Sequence, residues 1–220
     1  MTKPRIPETD HGIQGEVTVA HYDQMQRRLR DRGWIETRAL LQSGITQGHA
    51  LEIGPGPGYL GLEWLKLTQG TTLTGLDISL DMQALATRNA QTYGLAGRAQ
   101  YQPGSCENLP FGDNTFDAVF SNGSLHEWAA PCRAFDEIWR VLKPGGRYFI
   151  SDLRRDMSLV IRSFLWMSVQ PASIRPWLLS SIDAAYTAQE LSGLSEETRL
   201  NHAGISADAF GLSLSGVKRI

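Results

Sequence analysis

Between Ala50 and Ser151 short apolar runs alternate with turn-and-helix segments, and this alternation constrains the fold more than any other feature of the chain. The run Ala50-Leu51-Glu52-Ile53 leads through a glycine turn into a predicted helix over Tyr59 to Leu67. A second run, Thr72 to Leu76, leads through Asp77 and a Ser79 cap into a helix over Leu80 to Tyr93. Two more runs, Ala99 to Gln102 and Phe116 to Phe120, precede a helix over Ala134 to Leu142, which Lys143-Pro144-Gly145-Gly146 terminates before a fifth strand, Arg147 to Ser151. Consecutive strands joined by helices pair in parallel through right-handed crossovers, with helices on both faces. The fold class is therefore α/β, a doubly wound sheet.

The flanks read differently. Residues 1–15 are polar and aperiodic, an arm; residues 16–45 carry helical spacing broken at Gly33 and form a helical lead-in; residues 46–152 are the core of a single domain. Residues 153–203 turn helical and apolar, and 204–220 supply one or two terminal strands. The stretch around Phe164, Trp166, Met167, Trp177 and Leu178 suits a lid over a site, ordinary core or the face of a homodimer, and composition does not choose among them.

Charge narrows the partner. With 21 Lys+Arg against 23 Asp+Glu the formal charge is −2, which favours a small-molecule partner over nucleic acid or an anionic membrane. The run Arg27-Arg28-Leu29-Arg30-Asp31-Arg32 reads as a solvated helix face. No apolar run approaches the roughly 18 to 20 residues that span a bilayer, so membrane insertion is not expected. Met1 to Glu8 holds two prolines where an export signal needs an apolar core. The two cysteines, Cys106 and Cys132, fit a reducing cytoplasm, and neither they nor the histidines show metal-ligand spacing, so no metal is expected.

Glu52-Ile53-Gly54-Pro55-Gly56-Pro57-Gly58 ends the first strand and opens a helix, the place where open parallel sheets bind ligands. A dinucleotide fingerprint would want a glycine where Tyr59 stands, and no Gly-Lys-Ser/Thr follows for a phosphate loop. The acid Glu52 would repel phosphate but suits a ligand bearing positive charge, and Asp77, one strand on, can accept both hydrogen bonds of a ribose diol. These residues favour adenosine without phosphates and oppose an NAD-linked reductase.

That turn with Asp77, the segment Gly104 to Asp117, and Glu137-Ile138-Trp139-Arg140-Val141-Leu142-Lys143-Pro144-Gly145-Gly146 resemble class I S-adenosylmethionine-dependent methyltransferases, most nearly the small-molecule subgroup similar to the ubiquinone/menaquinone biosynthesis enzymes. The resemblance runs from about Tyr22 to Asp152. It implies a Rossmann-like sheet of seven strands with the last antiparallel, and S-adenosyl-L-methionine as methyl donor. It also implies that Gly54, Gly56 and Gly58 flank the methionine part with Glu52 beneath. Asp77 would hold the ribose, Ile78 and Met82 would pack near the adenine, and Ser105 and Cys106 would meet its edge. Asn122 would approach the amino-acid end, and Tyr22 would close over the site. Where the family commonly has Asp accepting from the adenine amino group this chain has Ser105, and Glu107 stands by to compensate.

Methyl transfer depends mostly on holding donor and acceptor in line. If the acceptor must lose a proton, His126, in the loop after the fourth strand, is the candidate base, and Asp152, at the end of the fifth, faces the same cleft. Each also has a plain reading, His126 as loop packing and Asp152 as a turn cap, while Glu127 reads as a solvated loop carboxylate. The expected function is methyl transfer to a small, apolar or aromatic acceptor. A different class, a non-catalytic sensor or scaffold for the donor or its demethylated product, fits the same pocket.

Overall fold

The computed structural model describes residues 4–8 and 13–219. Seven strands form one sheet in the order β3-β2-β1-β4-β5-β7-β6. The strands are β1 (His49–Ile53), β2 (Thr72–Asp77), β3 (Ala99–Pro103), β4 (Phe116–Asn122), β5 (Leu142–Leu153), β6 (Gly204–Ala207) and β7 (Gly211–Val217). The first five pair in parallel, and β7 runs antiparallel to both β5 and β6, as expected. Helices α1 (Glu16–Asp31) and α2 (Thr37–Gln42) lead in; α3 (Tyr59–Leu67), α4 (Leu80–Thr92) and α5 (Pro131–Val141) are the crossovers; α6 (Leu159–Ser168), α7 (Arg175–Ala184) and α8 (Ala188–Glu196) lie between β5 and β6.

Period-2 side-chain alternation sorts the strands onto two cores. Leu51, Ile53, Val119, Tyr148 and Ile150 pack with α5 on one face, while Ala50, Ala118, Phe120 and Phe149 pack with Leu62, Trp64 and Leu65 of α3 on the other. Trp64 is fully buried because its indole N–H finds the Ile45 carbonyl at 2.8 Å. The Ser79 cap forms, its hydroxyl accepting from the Met82 N–H at 3.2 Å. Two boundaries differ from expectation. Helix α5 starts at Pro131, whose fixed φ suits the first helical position, and β5 begins at Leu142, which pairs with Phe116 across a bulge.

Strand order reverses between β1 and β4, so the loops at their carboxyl ends diverge and leave a crevice. The arm takes part in covering it. Residues 1–3 and 9–12 of the expected arm lie outside the described residues. Residues 4–8 are tied down: the Ile6 N–H donates to Asp183 O at 3.0 Å, and Arg5 donates to the carbonyls of Ala184 and His126 while stacking on Tyr186. On the opposite wall the Ser79 hydroxyl donates to Ile13 O, and the Gly15 N–H donates to Asp81 at 2.9 Å.

Candidate active site

The crevice holds an open cleft of about 840 Å³ at the carboxyl ends of β1, β2, β3 and β4. Its donor-facing wall is built by backbone. Gly54 and Gly56 hold φ of 63° and 52°, a region side chains rarely adopt, and a Cβ on Gly54 would lie 2.7 Å from that of Ser124. The turn this permits aims the Gly56 N–H at Asp77 Oδ2 (3.0 Å), and the Ser79 N–H reaches Asp77 Oδ1 (2.9 Å). Burial raises the Asp77 pKa, and those two N–H groups oppose the rise. Each oxygen keeps acceptor capacity toward the cleft, which suits a pair of adjacent hydroxyls.

Around this carboxylate the wall is apolar. Ile78, 49% exposed, and Met82, buried, both line the cleft. Tyr22 lines it too, with its ring against Gly56 and its hydroxyl accepting from Gln26 at 3.0 Å. Ser105 and Cys106 form the end near β3, where burial pushes the Cys106 thiol up to about 12, leaving it inert. Ser105 Oγ already accepts from the Glu107 N–H at 3.2 Å, and Glu107 Oε1 accepts from the Ala130 N–H at 2.8 Å with its carboxylate in the cleft lining. Glu52 lies beneath the turn, 2% exposed, with Oε2 lacking any hydrogen-bond partner. Burial, with Asp77 adding to it and the Gly61 N–H opposing, pushes its pKa up to about 8.

Besides Glu52 beneath the turn, four expected site residues do not line the cleft. Gly58 caps α3 behind it, packed against Tyr101 and Ala86. Asn122 turns away and donates to Ser151 Oγ at 2.8 Å. His126 and Asp152 come together outside the cleft lining. Both are buried; Asp152 accepts from the His126 N–H (2.7 Å) and lies 2.9 Å from Nδ1, while Nε2 sits 3.3 Å from Glu8. Burial pulls the imidazole pKa down, but Asp152, Glu8 and Glu127 outweigh it and hold it at about 10. His126 is thus held toward its protonated form with both nitrogens engaged, so that a base role would require Nε2 to part from Glu8. Asp152 is a clamp on that imidazolium.

Glu127 also departs from its expected solvated state. It is half-buried and lines the cleft, and burial with Glu8, Asp152 and Asp77 raises its pKa to about 7 against the opposing charge of His126. Glu8 had no local signal at all, because its link to His126 joins segments far apart in the chain. What the cleft can hold follows from its charge: Asp77, Glu107 and Glu127 line it, and no Lys, Arg or His does among the described residues. Pyrophosphate would be repelled there, while a phosphate-free nucleoside carrying positive charge fits the carboxylates, the apolar wall and the close glycine backbone.

Residues 51–150 match the family described as a methyltransferase domain. The ubiquinone/menaquinone biosynthesis C-methyltransferase of Geotalea daltonii is 31% identical over 138 residues, 60% of this chain and 59% of that one. The demethylmenaquinone methyltransferase of Lactiplantibacillus plantarum is 29% identical over 196 residues, 86% of this chain and 81% of that one. Against several curated relatives the match spans about three fifths of their length. In fold, a putative S-adenosyl-L-methionine-dependent methyltransferase from Methanococcus maripaludis superposes with a TM-score of 0.75 at 23% identity, covering 100% of this chain and 98% of that one.

Proposed function

We propose that this chain is a class I S-adenosylmethionine-dependent methyltransferase, on the match of residues 51–150 to a methyltransferase-domain family and the likeness to quinone-biosynthesis relatives, and that it transfers a methyl group from S-adenosylmethionine to a small apolar or aromatic acceptor. The observation that carries this reading is the cleft lined by three carboxylates and no cation. The bound donor supplies an electrophilic methyl on a sulfonium; the chain supplies position, charge and dryness. Asp77 would hold the ribose hydroxyls, Ile78 and Met82 would cover the adenine, and Glu107 would accept from its amino group in place of the engaged Ser105. Gly54 and Gly56 admit close approach of the amino-acid arm, and Tyr22 covers it. The clamp of Asp152 on His126 fixes the loop after β4, so that the acceptor meets a rigid wall.

The acceptor side is supported by the apolar helices. Residues Leu159, Val160 and Met167 of α6 are 61% to 80% exposed, and α7 packs against the short turn holding His126. Such a surface recognises an apolar molecule better than a charged one.

Two experiments test the reading. Calorimetric titration with S-adenosylmethionine, S-adenosylhomocysteine and NADH should show binding of the first two only; binding of NADH alone would end it. Labelled methyl should then pass from donor to a component of a lipid-soluble metabolite extract, and donor binding with no transfer in any fraction would leave a sensor.

A further inference from the structure

The three carboxylates of the cleft differ in what already holds them. Asp77 accepts from two backbone N–H groups and Glu107 from one. Glu127 lines the same cleft, and its side chain accepts no hydrogen bond among the described residues. Its nearest cationic atom is His126 Nε2, 3.8 Å away, and that nitrogen lies closer, at 3.3 Å, to Glu8. The imidazolium lies closer to Asp152 and Glu8 than to Glu127, which it compensates only at 3.8 Å, and Glu127 lines the cleft.

Position adds to this. Asp77 ends β2 on one side of the β1 glycine turn, and Glu127 follows β4 on the other. A donor with its ribose on Asp77 and its amino-acid arm across the turn would present its cationic centre toward the β4 loop. Resting on the donor reading above, we infer that Glu127 is a catalytic residue: its carboxylate faces the reacting centre and takes the proton that a protic acceptor loses. In that step Glu127 gains the proton from the acceptor atom as the acceptor's electron pair forms the bond to the methyl carbon and the sulfur–carbon pair returns to sulfur. The products are methylated acceptor, neutral thioether and a protonated Glu127. A carboxylate at about 7 is poised for this near neutrality; burial sets it there, His126 beside it opposes the rise, and Glu8, Asp152 and Asp77 around it add to the rise. His126 is then a positioning residue.

The test needs no knowledge of the acceptor. Sinefungin, an analogue with an ammonium-bearing carbon in place of the sulfur and its methyl, and S-adenosylhomocysteine, which has no charge there, are titrated into the full chain and into Glu127→Gln and Glu127→Asp. The wild type should prefer sinefungin by about tenfold or more at a pH of about 8, with the preference shrinking toward a pH of about 6 as Glu127 takes up its proton. Glu127→Gln should lose the preference while its affinity for S-adenosylhomocysteine stays within about twofold, and Glu127→Asp should keep part of it. An equal change for both ligands in Glu127→Gln, or an unchanged preference, overturns the assignment of Glu127 alone. Failure of S-adenosylhomocysteine to bind the wild type removes the donor reading and this inference with it.

Discussion

The two walls of the cleft are held by opposite means. On the β1–β2 wall a carboxylate is fixed by backbone: Asp77 by the N–H groups of Gly56 and Ser79, within one glycine turn and one helix cap. On the β4–β5 wall charges are fixed by one another, His126 between Asp152 and Glu8, with Arg5 donating to the His126 carbonyl. Beyond that wall α6 has no buried residue at all, whereas α3 buries Tyr59, Leu60, Gly61, Leu62, Trp64 and Leu65. A wall made of backbone tolerates one ligand chemistry; a wall made of side chains and a loosely seated helix can be rebuilt for different acceptors.

The largest effect should come from the charge-built wall. Asp152→Ala leaves a buried imidazolium without its main partner and should cost about 3–5 kcal/mol of stability, read as a lower melting temperature, while S-adenosylhomocysteine affinity below the transition stays close to wild type. If affinity falls as steeply as stability, the walls are not separable. Next comes Asp77→Ala, the reverse case: affinity for S-adenosylhomocysteine should fall about a hundredfold with the loss of two charge-assisted hydrogen bonds, and stability by only about 1–2 kcal/mol.

A smaller, graded effect sharpens the comparison beneath the glycine turn. Glu52 is raised to about 8, above its unfolded value near 4.5, so the folded state keeps a proton the unfolded state has released. Its contribution is fully present below the lower value and is lost as pH rises to the upper one. The ligand-free protein should therefore lose stability across that window with a slope of up to about 1.4 kcal/mol per pH unit, and Glu52→Gln should flatten the slope in denaturant titrations. The smallest effect is expected on α6: Leu159→Ser with Val160→Ser should change stability by less than about 0.5 kcal/mol and raise the KM for the acceptor.

The same contrast explains what the sequence disclosed. The end of β1, the Ser79 cap and the glycine turn were legible because each rests on neighbours a few residues apart and on backbone rules, and Asp77, 21 residues from Gly56, because one strand–helix unit brings the two together. The clamp was not: Arg5 and His126 are 121 residues apart, and no local pattern says that Glu8 will neutralise the imidazole proposed as a base. Glu127 stood beside His126 in plain view, yet the groups that act on it with burial, Glu8, Asp77 and Asp152, lie far along the chain, so spacing alone assigned it to solvent. Asn122 misled for a similar reason, since only the sheet shows Ser151 beside it as its partner.

The central claim is that this cleft takes a phosphate-free nucleoside bearing an amino-acid arm, and a crystal structure grown with S-adenosylhomocysteine tests it most directly. The account predicts the ribose hydroxyls on Asp77, the base against Ile78 and Met82, and the thioether sulfur turned toward Glu127. A ligand bound elsewhere, or an NADH pyrophosphate seated at Gly54 to Gly58 under the same conditions, would contradict it.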